Sequence, residues 1–261
     1  MILDTLAEAT RKRIEGDKER ISPERMESLA FGMDTDNSYP FERNLGTDNL
    51  SFICECKKAS PSKGLIAPDF PYLEIAKDYD AAGASAISVL TETDYFLGSN
   101  RYLEEIASEV SVPCLRKDFT VDEYMIHQAK VLGAKAILLI VAILDAPTIR
   151  RYIHVASQLG LSALVEAHDE REIEIAIECG ARIIGVNNRN LKDFSVDISN
   201  SVRLRNLIPS GVLYVSESGV RGPEEIAALR DIHPDAVLVG EALMRAPDRQ
   251  AALKAFKAAA W

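Results

Sequence analysis

Eight short apolar runs recur along this 261-residue chain, most of them ending at a polar or charged residue. They are Phe52–Lys57, Ala86–Leu90, Val112–Lys117, Ala136–Ile140, Ser162–Glu166, Ile183–Asn187, Val212–Glu217 and Ala236–Gly240. An amphipathic, helix-like stretch separates each run from the next, at intervals of roughly 20–35 residues, the pattern of repeated β–α units. Eight such units predict an α/β fold, a closed (β/α)8 (TIM) barrel, and the length suits one barrel of about 250 residues with a modest extension. Closure brings the strand ends to one mouth, where barrel enzymes carry out their chemistry.

An open doubly wound sheet is the main alternative. The chain lacks both GxGxxG and GxxxxGK[ST], and eight units favour a closed barrel over a sheet of five or six strands. Residues 51–261 therefore read as the catalytic barrel. Residues 1–50 read as an N-terminal helical extension packed on one end of it, too small for a core of its own. Within the extension, Ile2, Leu3, Leu6, Ala9 and Ile14 have helical spacing, and Ser22-Pro23 starts a second helix running to about Phe31. The stretch 34–49 is polar and reads as irregular. In the barrel, Pro71, Asp145 and Gly222-Pro223 mark helix starts. Gly83, Gly133, Gly160 and Gly180 each stand between a helix and the next strand, where a left-handed conformation is needed. The αβ turns are short and the βα loops are richer, so function belongs on the βα side.

A formal net charge of −10 argues against general affinity for nucleic acid or an anionic membrane. An anionic substrate would then need a local cluster of Lys or Arg. No apolar stretch reaches the roughly 18 residues of a membrane span, and the N-terminus has acidic residues where a signal peptide is basic and then apolar. The chain reads as cytoplasmic. Cys54 and Cys56 alternate with Glu55 and Lys57, so the cysteines face the surrounding helices while the charged pair points inward. With Cys114 and Cys179 they read as buried structural thiols. His127, His154, His168 and His233 are scattered and read as surface or helix residues, so neither metal nor cofactor is expected.

The inward charges carry the chemistry. Glu55 and Lys57 end the first strand, ahead of a loop, Lys58–Gly64, rich in hydroxyl and ammonium donors suited to an anion. Lys117 ends the third strand with an inward phase and faces Glu166 at the end of the fifth, a candidate acid opposite a candidate base. Asn187 adds a neutral orienting amide, and Glu217 ends the seventh strand. Gly219, Gly240 and the N–H of Glu241, at the start of a short extra helix, suit a phosphate. The Glu241 carboxylate must then turn away.

Five motifs carry a specific resemblance: Glu55–Gly64 (ECKKASPSKG), Leu115–Phe119 (LRKDF), Leu164–His168 (LVEAH), Gly185–Leu191 (GVNNRNL) and Val215–Gly219 (VSESG). Together they resemble indole-3-glycerol phosphate synthases, a likeness that spans all eight strands and the N-terminal extension. It implies conversion of 1-(2-carboxyphenylamino)-1-deoxyribulose 5-phosphate to indole-3-glycerol phosphate, with loss of CO2 and water and without metal or cofactor, in tryptophan biosynthesis. By this resemblance Lys117 is the general acid, and Glu166 and Asn187 balance and position it. Glu55 and Lys57 handle proton transfer in dehydration and contact the substrate's anionic groups, with Ser60 from the adjoining loop. Glu217 and Ser218 contact substrate and Arg189 steadies the group. Phe96, Phe119, Leu138 and Leu191 wall the anthranilate ring. Ser195, where many members have threonine, and Glu241, where a small hydroxyl residue is familiar, depart from the family pattern.

The chain ends at Trp261 without a second set of strands, so it reads as monofunctional, acting on a small anionic substrate as a monomer or weak homo-oligomer. Two other readings are weaker. A phosphoribosylanthranilate isomerase would need a Cys/Asp pair at the mouth, which is not evident. A non-catalytic barrel would have no reason to keep six inward polar residues.

Overall fold

The computed structural model describes residues 2–190 and 194–260. Eight parallel strands close on themselves: β1 (Ser51–Cys56), β2 (Ala86–Leu90), β3 (Cys114–Lys117), β4 (Ala136–Ile140), β5 (Ser162–Ala167), β6 (Ile183–Asn187), β7 (Leu213–Glu217) and β8 (Ala236–Val239), with β8 pairing back onto β1. Three helices precede the barrel: α1 (Ile2–Arg20), α2 (Pro23–Phe31) and α3 (Pro40–Leu45). Helices α4 (Tyr72–Ala81), α5 (Asn100–Glu109), α6 (Tyr124–Val131), α7 (Ala146–Gln158), α8 (Glu170–Glu178), α9 (Ser199–Leu204) and α10 (Pro223–Leu229) follow strands β1 to β7 in turn. After β8 come the short α11 (Glu241–Arg245) and then α12 (Arg249–Ala259).

The predicted punctuation is in place. Asp145 caps α7 by accepting from the Thr148 N–H, and Glu225 reaches back to the N–H of Gly222 at the start of α10. Gly83, Gly133, Gly160 and Gly180 all have positive φ, between 70° and 86°. That conformation is costly for a residue with a β-carbon.

Strand alternation divides the core in two. Phe52, Cys54, Cys56, Ile87, Val89 and Cys114 point outward and pack under the helices. The inward residues stack in layers of four from alternate strands. Register identifies them: Glu55 pairs with Ser88 and Ser88 with Leu115, so Lys117 lies two positions beyond. The same step links Glu166 to Glu217 through Gly185 and Val215, and Glu217 to Glu55 through Leu238 and Ile53. Glu55, Lys117, Glu166 and Glu217 thus form one layer from the odd strands. Directly below on the same strands are Ile53, Leu115, Leu164 and Val215, all fully buried. The even strands interleave Ser88, Leu138, Gly185 and Leu238, and at the bottom Ala86, Ala136, Ile183 and Ala236.

Three alanines in that bottom layer leave space, and α3 fills it. Phe41 and Leu45, both without solvent exposure, belong to the same apolar cluster as Ala86, Ala136 and Ala236. Asn44 donates to the Ser85 carbonyl and the Ser51 hydroxyl to that of Asn44, pinning α3 beneath β1 and β2. The stretch 34–49 therefore contains a helix where the sequence suggested none: six residues carrying two apolar side chains give too little periodicity to read. The extension also meets both ends of the barrel, not one. Helix α1 lies at the opposite end, where Leu3 and Leu6 line the mouth and Arg13 forms a two-pronged ion pair with Asp118 at 2.8 and 2.9 Å.

Removing a buried Phe side chain costs about 3–5 kcal/mol. Phe41→Ala should lower the urea unfolding free energy by that amount, while turnover per folded molecule stays near the parent value because the floor is remote from the mouth. A loss of turnover without loss of stability would show that the floor helix does more than seal the barrel.

Candidate active site

A cavity of about 880 Å³ opens at the C-terminal ends of the strands. All the sequence-predicted site residues that are described line it: Glu55, Lys57, Ser60, Phe96, Lys117, Phe119, Leu138, Glu166, Asn187, Arg189, Glu217, Ser218, Gly219, Gly240 and Glu241. Leu191 lies outside the described residues.

The centre is Lys117. Its Nζ lies 3.7 Å from Glu166 Oε2 and 4.0 Å from Glu217 Oε2. Burial works against the ammonium, but Glu166, Glu217 and Glu55 together outweigh it and push its pKa well above the ordinary lysine value. Beside it, Lys57 Nζ donates to Glu55 Oε1 at 2.6 Å, and the Ser88 hydroxyl reaches Glu55 Oε2 at 3.4 Å. Burial disfavours the Glu55 carboxylate, yet Lys57 and Lys117 keep its pKa below the usual value.

Glu166 and Glu217 share Lys117 but not their other surroundings. Glu166 Oε1 accepts from Asn187 Nδ2 at 3.1 Å and lies 3.3 Å from His168 Nε2. Burial opposes its charge, but Lys117 and His168 overcome this and hold its pKa low. Glu217 Oε1 is buried with no hydrogen-bond partner, and burial followed by the neighbouring Glu166 charge pushes its pKa up. The surroundings thus favour the ionised form of Glu166 and disfavour that of Glu217, relative to an ordinary carboxyl.

Glycines make the room. A β-carbon on Gly185 would sit within contact distance of Glu217 Oε1 and 3.2 Å from Leu164. A β-carbon on Gly240 would lie 2.5 Å from Glu55 Oε1 and 3.0 Å from Lys57 Nζ. The need for glycine at 240 thus comes first from the Glu55–Lys57 pair. Gly219, with φ of 102°, follows Ser218 at 67° in a left-handed turn. The Glu241 carboxylate turns to Arg245, at 3.1 Å, and Lys63, at 3.7 Å. The apolar wall includes Phe96 and Phe119, ring centroids 6.1 Å apart. Glu92 holds the loop of Phe96 by accepting from the N–H groups of Asp94, Tyr95 and Phe96. Arg189 is steadied by its backbone N–H on Asn187 Oδ1 and its guanidinium on the Phe194 carbonyl.

Sequence reasoning placed His168 among scattered surface histidines, whereas it is largely buried between Glu166 and Glu172. It also missed Arg116, which is wholly buried and donates to Thr91, Met125, Asn100 and Gln128. The spacing of Glu166, His168 and Glu172 was a readable signal for the first. Nothing local marks the second.

A family model described as indole-3-glycerol phosphate synthase matches residues 3–256. The chain belongs to the indole-3-glycerol phosphate synthase family. A relative of that name from Ruminiclostridium cellulolyticum is 54% identical over 260 residues, covering 100% of both chains. Another, from Leuconostoc mesenteroides subsp. mesenteroides, is 48% identical, covering 97% of this chain and 98% of the relative. Among solved structures, 3-hexulose-6-phosphate synthase from Salmonella typhimurium superposes with a TM-score of 0.65 at 14% identity, covering 80% of this chain and 98% of that one. At that identity the likeness is one of fold: it too is a (β/α)8 barrel.

Displacing a reacting group by about 1 Å can cost about 10²-fold in rate. Gly185→Ala should force Glu217 aside and lower turnover by about that factor with a native circular dichroism spectrum. Unchanged turnover would show that the Glu217 position is not critical.

Proposed function

We propose that Lys117 is the general acid of ring closure, with Glu166 and Asn187 holding it in place and Glu217 contributing a proton or a hydrogen bond beside it. The activity is that of indole-3-glycerol phosphate synthase, a carboxy-lyase of tryptophan biosynthesis. It converts 1-(2-carboxyphenylamino)-1-deoxyribulose 5-phosphate to indole-3-glycerol phosphate, CO2 and water. The ring carbon that bears the carboxylate attacks the ketone carbon of the ribulose chain. Charge then develops on the ketone oxygen, and a fixed ammonium in a water-poor site is suited to meet it. An ammonium held as firmly as Lys117 first donates a hydrogen bond and yields its proton only as that oxygen becomes basic. The carboxylate leaves as CO2 and its bonding electrons return to the ring.

Loss of water requires an acid at the departing hydroxyl and a base for the remaining proton. The Glu55–Lys57 pair, 2.6 Å apart and next to Lys117, supplies one of each. Phe96, Phe119 and Leu138 form the wall for the aromatic ring. Gly219, Gly240 and the backbone of Glu241 take the phosphate, with Ser60, Ser218 and Arg189 as further contacts. The observation that carries this reading is one buried lysine, Lys117, whose Nζ lies 3.7 Å from Glu166 and 4.0 Å from Glu217. Among the described residues no helix is long and apolar enough to cross a membrane. The setting we propose is cytoplasmic, for a monomer or weak homo-oligomer.

Incubation with the carboxyphenylamino substrate should produce indole fluorescence. General acid catalysis contributes about 10²–10⁴-fold, so Lys117→Ala should lose turnover by that factor while remaining folded. Near-parental turnover in the folded variant would refute the role. The proton-handling groups proposed are all side chains, so activity should also survive exhaustive dialysis against a chelator. Loss that a divalent metal restores would overturn the cofactor-free scheme.

A further inference from the structure

His168 stands outside the cavity lining, behind Glu166. Its Nδ1 lies 3.0 Å from Glu172 Oε2, and its backbone N–H donates to that same oxygen at 2.7 Å. Its Nε2 lies 3.3 Å from Glu166 Oε1. The ring therefore sits between two carboxylates, one from β5 and one from α8, on a backbone further tied by Asn200 Nδ2 to the His168 carbonyl. The other charged groups of this cluster, Lys117 on β3 and Glu217 on β7, lie across Glu166 from the ring. Burial acts against the imidazolium, but Glu166 and Glu172 raise its pKa to about 10. His168 Nε2 and Glu217 Oε1 are both buried without a hydrogen-bond partner, so the ring meets Glu166 as a charge contact rather than a hydrogen bond, and no comparable cation among the described residues backs Glu217.

We infer that His168, braced by Glu172, is a positioning residue that holds Glu166 beside Lys117 as a carboxylate and leaves Glu217 as the member of the pair that takes up a proton. The inference rests on the reading of Lys117 as the acid. A neutral ring in place of the imidazolium would leave Glu166 with only Lys117 and Asn187. Glu166 and Glu217, both 4.0 Å or less from Lys117, would then compete more evenly for one proton.

The sign follows from the charge. A cation beside a carboxylate lowers its pKa, by about one to three units at such distances. Removing it raises the pH at which Glu166 ionises. In His168→Gln the acid limb of the kcat/KM profile should move up by about one pH unit or more, with kcat at the new optimum reduced far less than in Lys117→Ala. Glu172→Gln should move the same limb in the same direction by less, because Glu166 still holds the ring charged. Nitrogen NMR of His168 in the substrate-free parent protein should show both ring nitrogens protonated through neutral pH. A neutral single-tautomer ring at neutral pH, or an acid limb that stays in place in folded His168→Gln, would overturn the inference. The NMR result is independent of turnover. A doubly protonated His168 in a protein whose Lys117→Ala variant stays active would instead count against the role given to Lys117.

Discussion

Placing four ionisable side chains in a single layer of a packed barrel is the constraint from which much of this structure follows. Such layers are ordinarily filled by branched apolar residues, as the layer of Ile53, Leu115, Leu164 and Val215 directly beneath is. Charge at this depth is costly unless it is paired, and an unpaired member costs about 3–5 kcal/mol. One ammonium serves three carboxylates, so pairing inside the layer is incomplete. The deficit is met from outside, by Lys57 on Glu55 and by His168 on Glu166. Glu217 receives no such help and is the carboxylate most readily protonated. The acid–base asymmetry of the site is thus the residue of a charge count.

Space is the second consequence. Glu55 and Glu217 occupy volume that neighbouring layers must yield, and they do so at Ser88, Gly185 and Gly240. The bottom alanines have the reverse effect, leaving room that α3 fills with Phe41 and Leu45. Helix α1 is committed to the other end. Arg13 of α1 grips Asp118, which also accepts from Thr91 and the Phe119 N–H. Arg116, one position before Lys117, is buried on the outer face of β3 by four hydrogen-bond acceptors. Lys117 and Phe119 thus alternate with two residues locked into the layer outside the barrel, and the strand end that presents Lys117 is held from behind. A site that depends on placement to within an ångström benefits from such backing.

The barrel and its inward charges were legible because both are periodic. A short apolar run fixes a strand, and the two-residue repeat then decides which terminal residue points inward, so Glu55, Lys117, Glu166 and Glu217 can be read without knowing what lies opposite. The residues that went unread depend on long-range partners. Arg13 and Asp118 are 105 positions apart. Arg116 looks in sequence like one more polar strand-end residue. Ser88 and Gly185 matter for what they leave empty, which no propensity records. His168 is intermediate: its partner Glu172 is only four residues on, but its other partner is recognisable only once Glu166 is known to be inward. The extension was misplaced in part because α3 is too short to show a period.

The same charge count bears on how an anion enters a protein whose formal net charge is −10. At long range the substrate's carboxylate and phosphate are repelled, but the Debye length at physiological salt is only about 8 Å. Inside that distance the mouth presents Lys57, Lys117 and Arg189. Opposing these are the ionised Glu55 and Glu166, since Glu217 favours its neutral form. Of the other acidic side chains lining the mouth, Glu241 is occupied by Arg245 and Lys63, and Asp118 by Arg13. The local balance is therefore positive even though the molecule is acidic overall. On the proposed reading, a protonated Glu217 would do two things together: remove a negative charge from the path of an anionic substrate, and keep a proton beside Lys117, the group proposed as the acid.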